Sequence, residues 1–150
     1  MSQSLSKIYV HIIFSTKKRE ASISKEIEDE LYAYMAKIFM EYDSFALIIG
    51  GVENHIHVLC ILSKNYSVCK LIEEIKKSSS KWIKTKDKKY ARFSWQNGYG
   101  VFSVSQSQVP DVQNYIHNQK EHHKKISFEE EYREFLNKYK IKYDEQYVWD

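Results

Sequence analysis

The stretch SFALIIGGVENHIHVLCIL, residues 44–62, decides the architecture. Its two apolar runs, Ser44–Ile49 and His55–Leu62, lie so close together that they read as a hairpin, with Gly50-Gly51 as the expected turn. In the second run Ile56, Val58, Cys60 and Leu62 alternate with His55, His57, Leu59 and Ile61. Two imidazoles therefore leave one face of a single strand.

Upstream, Lys7–Phe14 alternates, with Ile8, Val10, Ile12 and Phe14 on one side of a strand. Ser24 opens a helical stretch in which Ile27, Leu31, Tyr34, Met35 and Ile38 recur at three- and four-residue steps. Downstream, a polar start at Asn65 introduces a second helix carrying Val68, Leu71, Ile72 and Ile75 towards Trp82, and Tyr99–Ser105 is β-like. Pro110 suits the first turn of a third helix, running to about His122, because its missing N–H would be unpaired there. Ser127 and Glu130 form a capping box before Tyr132, Phe135 and Leu136, which opens a fourth. The order β-α-β-β-α-β, then two helices, predicts an α+β fold of the ferredoxin-like, split βαβ (RRM-like) plan. Helices cover one face of its antiparallel sheet, and the other face is expected to be free to hold a site.

At 150 residues the chain is expected to form one domain spanning residues 1–150. The net charge of +3 is mild, but its distribution is uneven. Lys17, Lys18 and Arg19 make one basic knot, and Lys76, Lys77, Lys81, Lys84, Lys86, Lys88 and Lys89 a second run. Acidic residues gather at Glu26–Glu30 and Glu129–Glu131. Such separation either gives one face a potential that attracts a polyanion or is a solvated helix surface. Cys60 and Cys69 make neither a close-spaced metal pair nor a disulfide framework. No signal core and no run approaching roughly 18 apolar residues is present, so a cytoplasmic location without membrane partners is expected.

Neutral histidine is the commonest metal ligand, so His55-Ile56-His57 is a partial metal site or a pair of surface histidines. Tyr115 and Gln119, four apart on the third helix, stack on one face, and Asn118 and His122 extend the stripe. Gln offers a carbonyl oxygen to a metal beside a phenol. Equally, such a pair can be a half-buried ring next to a solvated amide.

Several motifs then agree in order and spacing along essentially the whole chain. They are Phe14-Ser15-Thr16-Lys17 with Arg19, Gly50-Gly51 with His55-Ile56-His57, Phe93 to Ser105, and Tyr115 to His123. Ser127-Phe128, Glu131-Tyr132, Tyr143-Asp144-Glu145 and Tyr147 to Asp150 follow. Together they resemble the single-tyrosine HUH transposases of bacterial insertion sequences, REP-associated tyrosine transposases included. The resemblance implies that His55 and His57 bind a divalent metal, Mg²⁺ or Mn²⁺, with Gln119 as third ligand and Tyr115 as nucleophile. It implies cleavage and rejoining of hairpin-flanked single-stranded DNA through a 5′-phosphotyrosine, in a homodimer whose sites are completed in trans. Lys17, Lys18, Arg19, Lys76, Lys77 and Lys81 are the candidates for contacting the backbone, with exposed tyrosines, Phe93 or Trp95 stacking bases. Relatives often carry Asp before the first His, where this chain has Asn54.

Other readings have their own signatures. A domesticated, non-mobile relative would bind or nick palindromic single strands, and a catalytically retired one would only bind them. A metal hydrolase using His55, His57 and His122 or His123 would leave Tyr115 idle. An RNA-binding module would need aromatic residues patterned on the central strands, which this sequence lacks.

Overall fold

The computed structural model describes residues 2–150, all but Met1 of the expected domain. Four strands, β1 (Tyr9–Ser15), β2 (Phe45–Val52), β3 (His55–Ile61) and β4 (Gly100–Val104), form one antiparallel sheet in the order β2-β3-β1-β4. Helices α1 (Lys25–Glu41) and α2 (Val68–Lys84) connect β1 to β2 and β3 to β4. This is the ferredoxin-like arrangement that the element order predicts. Val10, Ile12, Phe14, Ile56, Val58 and Cys60 pack against Ile27, Leu31, Met35 and Phe39 of α1 and Leu71, Ile72, Ile75 and Ile83 of α2. Among the described residues, no helix is long and apolar enough to cross a membrane.

The second face of the sheet is not open. Helices α3 (Val109–His117), α4 (Gln119–His122) and α5 (Phe128–Lys138) follow β4 in sequence. Tyr9 and Leu59 meet Val109 and Ile116 of α3, while Ile13 and Phe102 meet Phe128, Tyr132 and Leu136 of α5. All seven residues of β1 are buried, because each of its faces carries apolar side chains that need cover. The site thus lies between the sheet and a helical layer, in the gap separating these two apolar clusters.

Two local expectations are corrected. Gly50 and Gly51 are not the turn: they pair with His57 and Ile56 inside the hairpin, and the chain reverses at Glu53-Asn54. Glycine is needed there for close approach. A Cβ on Gly50 would stand 2.8 Å from the Ile116 carbonyl oxygen of α3, and one on Gly51 would collide with the His55 carbonyl. The expected third helix is broken at Asn118, whose φ of −95° and ψ of 18° separate α3 from α4. Pro110 does sit in the first turn of α3, and the Ser127 side chain caps α5 by accepting from the Glu130 N–H at 3.2 Å.

Candidate functional site

Pairing of β1 with β3 sets Ser15 opposite His55 and Ile13 opposite His57. Both imidazoles therefore project from a central strand into the covered face, and both are fully buried. Behind His55, its Nδ1 donates to Asn54 Oδ1 at 2.7 Å, so Asn supplies the oxygen that orients the ring. Behind His57, Nδ1 accepts from His11 Nε2 at 2.8 Å. Gln119, buried at the start of α4, brings Oε1 to 3.0 Å from His55 Nε2. The two histidines and the glutamine named from the sequence are thus brought together.

The centre contains one side chain that sequence reasoning placed elsewhere. Glu131 of α5, 1% exposed, has Oε1 2.9 Å from His57 Nε2 and 3.5 Å from His55 Nε2. Its Oε2 accepts from Gln119 Nε2 at 3.1 Å and from the Tyr115 hydroxyl. His123 completes the ring of donors, with Nε2 3.2 Å from Glu131 Oε1 and Nδ1 donating to the Ile126 carbonyl at 2.9 Å. A signal existed: Phe128, Glu131, Tyr132, Phe135 and Leu136 sit at i, i+3, i+4, i+7 and i+8, so a carboxylate occupies an apolar-stripe position. In sequence it passed for part of a solvated acidic run.

Electrostatics follow from this burial. Desolvation, aided by the neighbouring His57, holds the His55 pKa down at about 3, so the ring is neutral. Burial and then His57 likewise hold His11 well below the usual histidine range. Burial disfavours the Glu131 anion, but His57, His123 and His55 outweigh it and keep the carboxyl ionised, well below its ordinary range. For His123, burial opposes the charge, yet Glu131 and the Ile126 carbonyl outweigh it and raise the pKa. Burial and the adjacent Glu131 push the Tyr115 phenol above its ordinary range.

The donor set fits a cation. Gln119 Nε2 is committed to Glu131, which turns Oε1 towards His55. With the His55 proton on Nδ1, two lone pairs face each other across 3.0 Å. His123 Nε2 is buried and faces Glu131 Oε1 at 3.2 Å without the alignment of a hydrogen bond. One ligand atom each from His55, His57, His123 and Glu131 lies within 4.8 Å of all the others. A divalent ion satisfies such lone pairs at once, and imidazole with carboxylate oxygen suits transition-series ions.

Tyr115 approaches this centre within the same chain. Its ring centroid is 5.8 Å from that of His57, and its hydroxyl is 3.2 Å from His122 Nε2. A cavity of about 320 Å³, lined by His11, Val112, Tyr115, His122, Phe135 and Lys138, opens beside it. Within this chain Gln119 reaches His55, and the Tyr115 hydroxyl reaches Glu131.

The basic candidates separate. Lys17, Lys18 and Arg19 form a turn directly after β1, beside the His55 end of the sheet; Lys17 and Lys18 are exposed. Arg19 pairs with Glu129 at 3.6 Å. Lys77 and Lys81 are exposed on α2, across the sheet from the histidines. Lys76 is directed elsewhere: its Nζ donates to the carbonyls of Gln96, Asn97 and Gly98 at 2.8, 3.2 and 2.6 Å. Burial pushes its pKa down to about 8. Phe93 and Trp95, expected as stacking platforms, are instead core residues, 3% and 5% exposed.

The family model described as "Transposase IS200 like" matches residues 4–119. The fold is similar to that of a protein from Deinococcus radiodurans R1 assigned as a transposase, with a TM-score of 0.61 and 20% identity over 79% of this chain and 98% of that one. It is also similar to a REP-associated tyrosine transposase bound to a REP hairpin, with a TM-score of 0.54 and 13% identity over 79% of this chain and 70% of that one. At these identities the likeness is one of fold. No curated protein sequence matches the chain.

Proposed function

Since the chain belongs to the IS200-like transposase family, we propose that it cuts and rejoins single-stranded DNA with Tyr115 as nucleophile. In this reading His55, His57 and Gln119 hold a divalent ion, Mg²⁺ or Mn²⁺, beside the scissile phosphate. The observation that carries it is the convergence of nucleophile and donor set within one chain. The Tyr115 hydroxyl donates to the same buried carboxylate that contacts His57 and Gln119.

When bound, the ion would neutralise charge on a non-bridging phosphate oxygen. The protein's own groups do the rest. Neutral His55 keeps its Nε2 lone pair available because burial prevents its protonation. Asn54 fixes that ring from behind at 2.7 Å. The hydrogen bond from Tyr115 to Glu131 aims the phenolic oxygen and gives its proton a carboxylate to pass to. That oxygen forms a bond to phosphorus as the bond to O3′ breaks, and the leaving oxygen takes a proton to become the 3′-hydroxyl. The 5′-phosphotyrosine conserves the ester for a later 3′-hydroxyl, so joining needs no nucleotide triphosphate. The hairpin bound by the REP-associated relative supports a hairpin-bearing single strand as substrate, with Lys17 and Lys18 exposed at the rim to meet its backbone.

The test is covalent capture. Purified protein with Mg²⁺ or Mn²⁺ and a hairpin-bearing oligonucleotide should give a denaturation-resistant adduct. Tyr115→Phe should abolish the adduct and keep DNA binding; an undiminished adduct in that variant removes Tyr115 from the role.

A further inference from the structure

Glu131 is an expensive residue for the fold to carry. It occupies an apolar position of α5, where a leucine or methionine would pack without desolvating a charge, and its side chain is 1% exposed. Its two oxygens face different groups. Oε2 is occupied by the Tyr115 hydroxyl and Gln119 Nε2. Oε1 points at three imidazole nitrogens, those of His57, His123 and His55, at 2.9, 3.2 and 3.5 Å.

We propose that Glu131 is itself a ligand of the divalent ion, through Oε1, with His123 Nε2 as a further donor, so that this chain carries a histidine-rich, carboxylate-bearing centre. The inference rests on the reading of His55 and His57 as metal ligands. Its basis is the set of donor-to-donor separations. Ligands about 2.1 Å from one ion stand about 3 Å apart at neighbouring octahedral positions. The observed edges are 2.9 Å for His57–Glu131, 3.0 Å for His55–Gln119 and 3.2 Å for His123–Glu131. Donor atoms of His55, His57, His123 and Glu131, from β3, the C-terminal cap of α4 and α5, all lie within 4.8 Å of one another, and Gln119 Oε1 stands beside His55. His123 Nε2 meets Glu131 Oε1 only out of hydrogen-bond alignment, and its Nδ1 is fixed on the Ile126 carbonyl. His11, behind His57, can accept from Nδ1–H when Nε2 turns to the ion. With several imidazoles in the set, the centre favours Mn²⁺ and its transition-series neighbours over Mg²⁺, which prefers a hydrated all-oxygen shell.

Mn²⁺ is the probe, titrated into the metal-free protein by calorimetry and by loss of the free-ion electron paramagnetic resonance signal, without DNA. Glu131→Gln keeps the shape and an acceptor for Tyr115 but removes the anionic ligand. It should raise the Mn²⁺ dissociation constant at least tenfold, and the wild type should bind Mg²⁺ more weakly than Mn²⁺. His57→Ala is the reference and should abolish binding. If His57→Ala loses Mn²⁺ while Glu131→Gln binds it as wild type does, the assignment of Glu131 is overturned and the histidine pair stands. If His57→Ala also binds normally, the underlying metal reading falls. Should Glu131→Gln fail to fold, judged by circular dichroism, Glu131→Asp takes its place: withdrawn by one methylene, it should weaken Mn²⁺ binding, and wild-type affinity would refute the proposal.

Discussion

Replacing Gly50 with alanine should slow the proposed DNA cleavage although Gly50 has no side chain to touch the imidazoles or the Tyr115 hydroxyl. The added Cβ would stand 2.8 Å from the carbonyl oxygen of Ile116, about 0.6 Å short of the 3.4 Å at which ordinary contact begins. The Ile116 Cγ2, at 2.9 Å, can rotate away, but the carbonyl is part of the α3 backbone and moves only with the helix. Tyr115, the proposed nucleophile, is the preceding residue, so relief of the clash displaces it by a comparable distance. Overpacking of this kind costs about 1–3 kcal/mol of stability. A misplacement of 1 Å at reacting atoms costs about a hundredfold in rate, so 0.6 Å should cost roughly tenfold. The assay is the single-turnover rate of adduct formation at saturating Mn²⁺, alongside urea denaturation. A Gly50→Ala protein with wild-type rate and wild-type urea midpoint would refute the idea that the strand seats the tyrosine helix.

Three further outcomes are expected. Because Tyr115 reaches its own chain's centre, mixing His57→Ala with Tyr115→Phe should not restore the adduct; recovered activity would demonstrate exchange of the tyrosine helix between subunits. Lys76→Met should lose about 1.5–3 kcal/mol in urea denaturation, since its ammonium serves three carbonyls, whereas Lys77→Gln and Lys81→Gln should change stability by less than about 0.5 kcal/mol. Equal stability of all three would return Lys76 to the exposed group. In metal-free protein, stability should fall as pH drops below the unfolded histidine pKa of about 6.5. His55, held at about 3 when folded, stays neutral while the unfolded chain takes up a proton. Each pH unit of that window costs up to about 1.4 kcal/mol. Glu131, also held low, adds loss in the same direction below the ordinary carboxylate range. Urea midpoints unchanged between pH 7 and 4.5 would contradict the burial of a neutral His55.

The strands, helices and central histidine pair were legible because each rests on local periodicity. His55 and His57 alternate with Ile56 and Val58, and a period of two puts both rings on one face whatever the rest of the chain does. The capping box at Ser127 and the proline in the first turn of α3 are likewise local chemistry. Gly50-Gly51 misled because glycine marks close approach as well as turns, and the approaching backbone, that of Ile116, lies far along the chain. Phe93 and Trp95 resembled surface platforms in an irregular segment. In the structure Trp95 is held by its Nε1 donating to Ser79 Oγ at 2.9 Å, a partner on α2 that no periodicity predicts.

By itself, the sequence determined the ferredoxin-like sheet, the histidine pair on its central strand, and the presence of Tyr115 and Gln119 on the chain that follows β4. These depend on the geometry of neighbouring residues. Only the tertiary structure decided that the second sheet face is covered, that Tyr115 meets the Glu131 carboxylate, and that Glu131, His123, His11 and Asn54 gather around the histidine pair. Whether a carboxylate is solvated or buried depends on which surface its helix packs against. For Glu131 that surface is the sheet face bearing His55 and His57, 74 or more residues earlier in the chain.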